Sequence, residues 1–224
     1  MNTENLTTPT FTDFQASIVN TIESGEIPSC FPEVSAIDDV SLLKFDHNDI
    51  QGMLNRQFTA MSFKDAMQNL GMFGYISHSG AKYILDRVGH DKRFLDPLCG
   101  RGWIAKALEA QGASCIASDI DPTYSGVPVT STLKIDAHES VKAHKELSDI
   151  LILSWPERDN EADFLAAKEW GSDKPIILYG EWGRSCNSTD FLNNFRVIEI
   201  WEDFPDLIAK PTVHTKIGLG FFGA

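Results

Sequence analysis

The chain has 224 residues, of which 42% are hydrophobic and 23% charged. This is the balance of a globular fold and not of a disordered, collagen-like or coiled-coil chain. With 32 acidic and 19 basic side chains the net charge is -13, a field that repels polyanions, so long nucleic acid is disfavoured as a partner. No apolar run approaches the roughly 20 residues that span a bilayer, and the start Met1-Asn2-Thr3-Glu4-Asn5 lacks the basic and apolar regions of a secretory signal. A cytoplasmic location without a membrane partner is expected.

Residues 1–76 show no strand alternation, and apolar residues recur at helical spacing in Phe11-Phe14-Ile18-Ile22 and in Ile50-Leu54-Phe58. Two or three helices are expected, interrupted at Gly25-Glu26-Ile27-Pro28-Ser29-Cys30-Phe31-Pro32, where each proline lacks an amide donor. The region is acidic, with Asp38, Asp39, Asp46 and Asp49 among ten acids against Lys44, Arg56 and Lys64. It reads as a solvated helical cap or extension, or as a lid or docking surface.

From residue 77 to 224 the pattern changes to alternating helices and short apolar runs, the signature of parallel βαβ units. Ser77 or Ser79 can cap a helix through Tyr83, Ile84, Leu85 and Val88 that ends at Gly89. Strands are predicted at Phe94–Leu98, Ser114–Ser118, Asp149–Ser154 and Pro175–Tyr179, a weaker one near Leu133–Ile135, and two more at Arg196–Trp201 and His214–Phe222. Helices are predicted over Trp103–Gln111 and Glu161–Trp170, and after Ser188 with Asp190 in the first turn. Cys30, Cys99, Cys115 and Cys186 form no CxxC pair and read as reduced, mostly buried thiols. His78, His138, His144 and His214 show no ligand-like pairing, so no metal is expected.

The run from Arg93 to Leu108 is a strand, a glycine turn and a helix in immediate succession, the context in which glycines are informative. Without a Cβ, Gly100 and Gly102 let the backbone turn sharply and approach a ligand, while amides at the helix start face it. About twenty residues on, the second strand runs into Asp119, where a carboxylate can accept hydrogen bonds from ribose hydroxyls. A third strand ends at Asp136, where a carboxylate could accept from an adenine amino group, or be an exposed loop acid. A nicotinamide site is disfavoured because the third glycine of GxGxxG falls at Ala105.

Asp96-Pro97-Leu98-Cys99-Gly100-Arg101-Gly102 resembles the first motif of class I S-adenosylmethionine-dependent methyltransferases, and Asp119 matches that family's acid after the second strand. The resemblance covers roughly residues 77–222. It implies an α/β fold, a Rossmann-like doubly wound, mostly parallel sheet behind the N-terminal helical region, with S-adenosylmethionine as cofactor. Asp96, Gly100 and Gly102 would surround the methionine part, Asp119 the ribose and Asp136 the adenine, with Pro97, Cys99 and Ser154 completing the set.

The acceptor side would lie at the ends of the fourth and fifth strands. Asp149-Ile150-Leu151-Ile152-Leu153-Ser154-Trp155-Pro156 resembles the amino-methyltransferase motif loosely, because Trp155 replaces its first proline. Trp155 could stack on a planar acceptor or cover the sheet edge. Glu181, in the loop Gly180-Glu181-Trp182-Gly183-Arg184-Ser185-Cys186, is a candidate general base or an ion-pair partner of Arg184. These two loops together resemble those of a group of methyltransferase-like bacterial and phage proteins that imply no substrate. The expected activity is in-line methylation of a small molecule or a protein side chain. A regulatory S-adenosylmethionine- or nucleoside-binding protein and a cofactor-cleaving enzyme are the alternatives, and the oligomeric state stays open.

Overall fold

In the computed structural model the described residues are 11–33, 50–209 and 214–223, with residues 50–57 described by their backbone alone. The acids Asp38, Asp39, Asp46 and Asp49, Lys44 and the side chains of Ile50, Leu54 and Arg56 lie outside that description.

Helix α1 (Asp13–Glu23) starts at a capping box: the Thr12 hydroxyl accepts the Gln15 amide at 3.1 Å while the Gln15 side chain accepts the Thr12 amide at 3.0 Å. Helix α2 (Ile50–Asn69) follows, and α3 (His78–Val88) is capped by Ser77 and closed at Gly89. The sheet strands and their crossovers come next: β1 (Arg93–Asp96), α4 (Trp103–Ala110), β2 (Ser114–Asp119), β3 (Thr132–Lys134), α5 (Ala137–His144), β4 (Ile150–Ser154), α6 (Ala162–Trp170), β5 (Ile176–Gly180), α7 (Thr189–Asn194), β6 (Phe195–Ile200) and β7 (Lys216–Phe222). The first strand stops at Asp96 and not at Leu98, since Pro97 has no amide to extend the ladder.

The seven strands lie in the order β3-β2-β1-β4-β5-β7-β6. All pairs from β3 to β5 are parallel, and β7 runs antiparallel between β5 and β6. The fold is Rossmann-like. Strand alternation sends successive residues to opposite faces, and the burial follows it. Phe94, Ile150, Ile152, Ile177 and Tyr179 enter one apolar cluster with α1, α2, α3 and α4, whereas Leu95, Leu151, Leu153, Ile176 and Leu178 enter another with α5, α6 and α7. At roughly 1.5–3 kcal/mol for each fully buried aliphatic side chain, this double coverage explains why β4 and β5 are apolar without interruption. Ile18, Ile22, Phe63 and Met67 of the helical region share the first cluster with the sheet, so helices and sheet pack as one body.

Two sequence expectations need correction. Helix α5 had not been expected; Asp136 is its N-cap, accepting the His138 amide at 2.9 Å. Glu139 three residues on was the signal for it. Among the thiols only Cys186 is fully buried, and Cys30 is exposed. Among the described residues no helix is long and apolar enough to cross a membrane.

Candidate functional site

Strand order reverses at β1: the chain steps outward to β2 and β3, then returns to β4 on the other side. At such a switch point the loops diverge and leave a crevice beyond the carboxyl ends of the strands. A cavity of about 400 Å³ occupies that place here. Asp96, Cys99 and Gly100 line it from the end of β1, Asp119 and Asp121 from β2, and Ser154, Trp155 and Glu157 from β4.

The turn after β1 is made by Gly100 at φ +54° and Gly102 at φ +87°, backbone conformations that side chains rarely adopt. Gly102 is the N-cap of α4, and a Cβ there would lie 2.8 Å from Thr130, so this glycine lets the strand-β3 side approach the turn. Asp119 ties turn to sheet. Its Oδ2 accepts the Gly100 amide and its Oδ1 the Asp121 amide, each at 2.9 Å. A carboxylate oxygen has two lone pairs, so each retains one for a ligand hydroxyl.

Asp96 is 1% exposed, and neither of its oxygens has a full hydrogen bond among the described residues. Burial, then the negative charge of Asp119, push its carboxyl up to about 8, and the Leu98 amide opposes this. Burial and the charges of Asp96 and Asp119 also raise the Cys99 thiol, which is therefore not a thiolate nucleophile.

The segment Gly71-Met72-Phe73-Gly74, which sequence reasoning passed over, forms another wall. Its start is held where Arg101 and Trp103 both donate to the Leu70 carbonyl, at 2.6 and 3.0 Å. Beyond its end the Tyr179 hydroxyl donates to the Tyr75 carbonyl at 3.0 Å. Gly74 is pressed onto the sheet, since a Cβ would stand 2.7 Å from the Ser154 hydroxyl. The only forewarning was the pair of glycines.

On the far side Trp155 has φ +54°, uncommon for a bulky residue, and its ring meets Tyr179 edge-on at 5.7 Å. It lines the cavity and covers the sheet end at once. The loop after β5 folds across to the loop after β4 through the Glu157–Cys186 bridge and the Asn187 amide donating to the Pro156 carbonyl at 3.1 Å. Glu181 does not line the cavity; it accepts the Ser185 hydroxyl at 2.7 Å, and Ser185 lines the cavity in its place. Asp163, buried at the start of α6, also lines it and accepts the Asn187 side chain and the Ser188 amide. Burial raises its carboxyl above the usual range.

Of the residues expected at the site, Asp96, Cys99, Gly100, Asp119, Ser154 and Trp155 therefore meet around one cavity. Pro97 and Gly102 belong to the segment between β1 and α4 but do not line the cavity, Asp136 caps α5, and Glu181 stands outside the wall. Among the described residues no group of three His, Cys, Asp or Glu is placed to hold a metal ion.

Fold and site together define a Rossmann-like α/β protein with an acidic cavity of about 400 Å³ at its switch point. By sequence, no protein-family model and no curated protein matches the chain. Several solved structures are similar to parts of it. A TehB-like SAM-dependent methyltransferase from Corynebacterium glutamicum is 17% identical over 73% of this chain and 97% of that one, with a TM-score of 0.44. A SAM-dependent methyltransferase from Archaeoglobus fulgidus is 20% identical over 54% of this chain and 57% of that one, at 0.38. A putative methylase from Haemophilus influenzae is 13% identical over 65% of this chain and 99% of that one, at 0.39.

Proposed function

We propose that the protein is an S-adenosylmethionine-dependent methyltransferase acting on a small molecule or a protein side chain. One observation carries the reading: a single cavity joins the Gly100 turn, the Asp119 carboxylate with its spare lone pairs and the buried Asp96 carboxyl, short of a full hydrogen bond among the described residues, to an aromatic wall at Trp155. These groups fit an adenosyl ligand with a cationic tail. Asp119 would hold the ribose hydroxyls and Asp96 would face the cationic part. When bound, S-adenosylmethionine supplies an electrophilic methyl group on a sulfonium.

The chain's own contribution is then orientation and exclusion of water, which supply much of the rate of an in-line transfer. Phe73 and Trp155 would bound the acceptor, and Glu157 is the exposed carboxylate that could take its proton. Five acids and no Lys or Arg line the wall among the described residues, which disfavours phosphorylated acceptors and nucleic acid. A second reading, binding without turnover, is favoured by the Ser185 contact that occupies Glu181.

Calorimetric titration with S-adenosylmethionine, followed by an assay for S-adenosylhomocysteine over a panel of amine, thiol and hydroxyl acceptors, tests both. Saturable binding with turnover supports the enzyme; binding without turnover on any acceptor supports the second reading. Failure of a folded sample to bind removes both.

A further inference from the structure

The least satisfied polar group on the cavity wall is the Asp96 carboxyl, buried at the end of β1 with both oxygens short of a full hydrogen bond. Facing it are Asp119 from β2, Cys99 from the turn, Cys115 from within β2 and the Leu98 amide. Both thiols are held protonated, chiefly by burial. Further along the wall, Asp121, Glu157 and Asp163 add carboxyl groups. The Arg101 guanidinium, close in sequence, donates to the Leu70 and Val127 carbonyls.

A buried carboxylate without donors or a counter-charge is costly to ionise. The acid form is accordingly favoured up to about pH 8. A cation placed against the same oxygens reverses that preference, because an opposite charge within a few ångströms favours the ionised form.

We propose, resting on the reading of this cavity as an S-adenosylmethionine site, that Asp96 selects a positively charged ligand by proton exchange. It carries a proton in the ligand-free protein and yields it to solvent as the cation seats. Only the O–H bond of the carboxyl breaks; the proton goes to buffer, the electron pair stays on the carboxylate, and nothing is oxidised or reduced. Association of a cationic adenosyl ligand is then proton-linked, and that of an uncharged one is not.

The test is calorimetric titration at pH 6.5 in two buffers of different ionisation enthalpy, with S-adenosylmethionine and with uncharged methylthioadenosine. S-adenosylmethionine should release close to one proton and bind about tenfold tighter at pH 7 than at pH 6. Methylthioadenosine should release none and bind equally at both. Asp96→Asn should abolish the proton release. If that variant does not fold, infrared difference spectra of the unaltered protein provide the same readout: the carbonyl band of a protonated carboxyl should vanish on binding. Binding of S-adenosylmethionine with no proton release and no loss of that band overturns this inference alone. Failure to bind S-adenosylmethionine at all removes the proposed function and this inference together.

Discussion

At the ends of β1 and β2 the polar groups are left open: Asp96 lacks full partners and each oxygen of Asp119 uses only one lone pair, on a backbone amide. At the ends of β4 and β5 the polar groups close on one another, with Glu181 bonded to Ser185 and Asp163 to Asn187 and Ser188. Both regions face one cavity. The difference teaches that the first end is arranged for a ligand of fixed chemistry, held by backbone geometry and two carboxyls. The second is a wall shaped by packing, whose carboxyls Glu181 and Asp163 already accept hydrogen bonds from neighbouring loop residues.

The largest effect that could break this comparison is on pH and stability. The Asp96 carboxyl is held up to about 8 in the folded chain and near 4 when unfolded. Between these values the folded state keeps a proton that the unfolded state has lost, so stability of the ligand-free protein falls as pH rises. This group contributes a slope of about 1.4 kcal/mol per pH unit. Denaturant titrations from pH 5 to 8 measure it, and Asp96→Asn should flatten the slope. A slope unchanged by the substitution would mean that the β1 end is as well satisfied as the β5 end.

Next comes Gly102→Val, which adds a branched side chain at φ +87° against Thr130. Strain and overpacking together should cost about 2–4 kcal/mol in urea unfolding. Asp119→Ala should follow, weakening S-adenosylmethionine by about 1.5–3 kcal/mol, roughly 10- to 100-fold, while methylthioadenosine, which shares the ribose, weakens in parallel. Affinity that does not change for either ligand would separate Asp119 from the sugar. The smallest effect is Glu181→Gln. It keeps an acceptor for Ser185, and both stability and cofactor affinity should stay within about 0.5 kcal/mol. A hundredfold loss of turnover in this variant would show the loop opening and Glu181 acting as the base.

The same two regions explain what could be read from the residues alone. The β1 turn was legible because strand, glycines and helix follow within a few positions, and Asp119 because β2 runs straight into it. Local chain geometry settles both. Asp136, read as a possible adenine acceptor or a loop acid, caps α5 through its Oδ1 and does not line the cavity, a cap that the Asp136 to Glu139 spacing would have indicated. The wall at Gly71 to Gly74 depends on partners distant in sequence, Arg101, Trp103 and Tyr179, and no local pattern announces those contacts. Glu181 sat at the correct strand end, but the bridge from Glu157 to Cys186 folds its loop so that Ser185 meets the cavity.

The central claim is that the cavity between Gly100, Asp119 and Trp155 holds an adenosyl ligand. A crystal structure grown with S-adenosylhomocysteine tests it most directly. The ribose hydroxyls should lie within hydrogen-bond distance of the Asp119 carboxylate and the amino-acid tail beside Asp96. A ligand found elsewhere, or a fully occupied site in which Asp119 touches only the Gly100 and Asp121 amides, would contradict it.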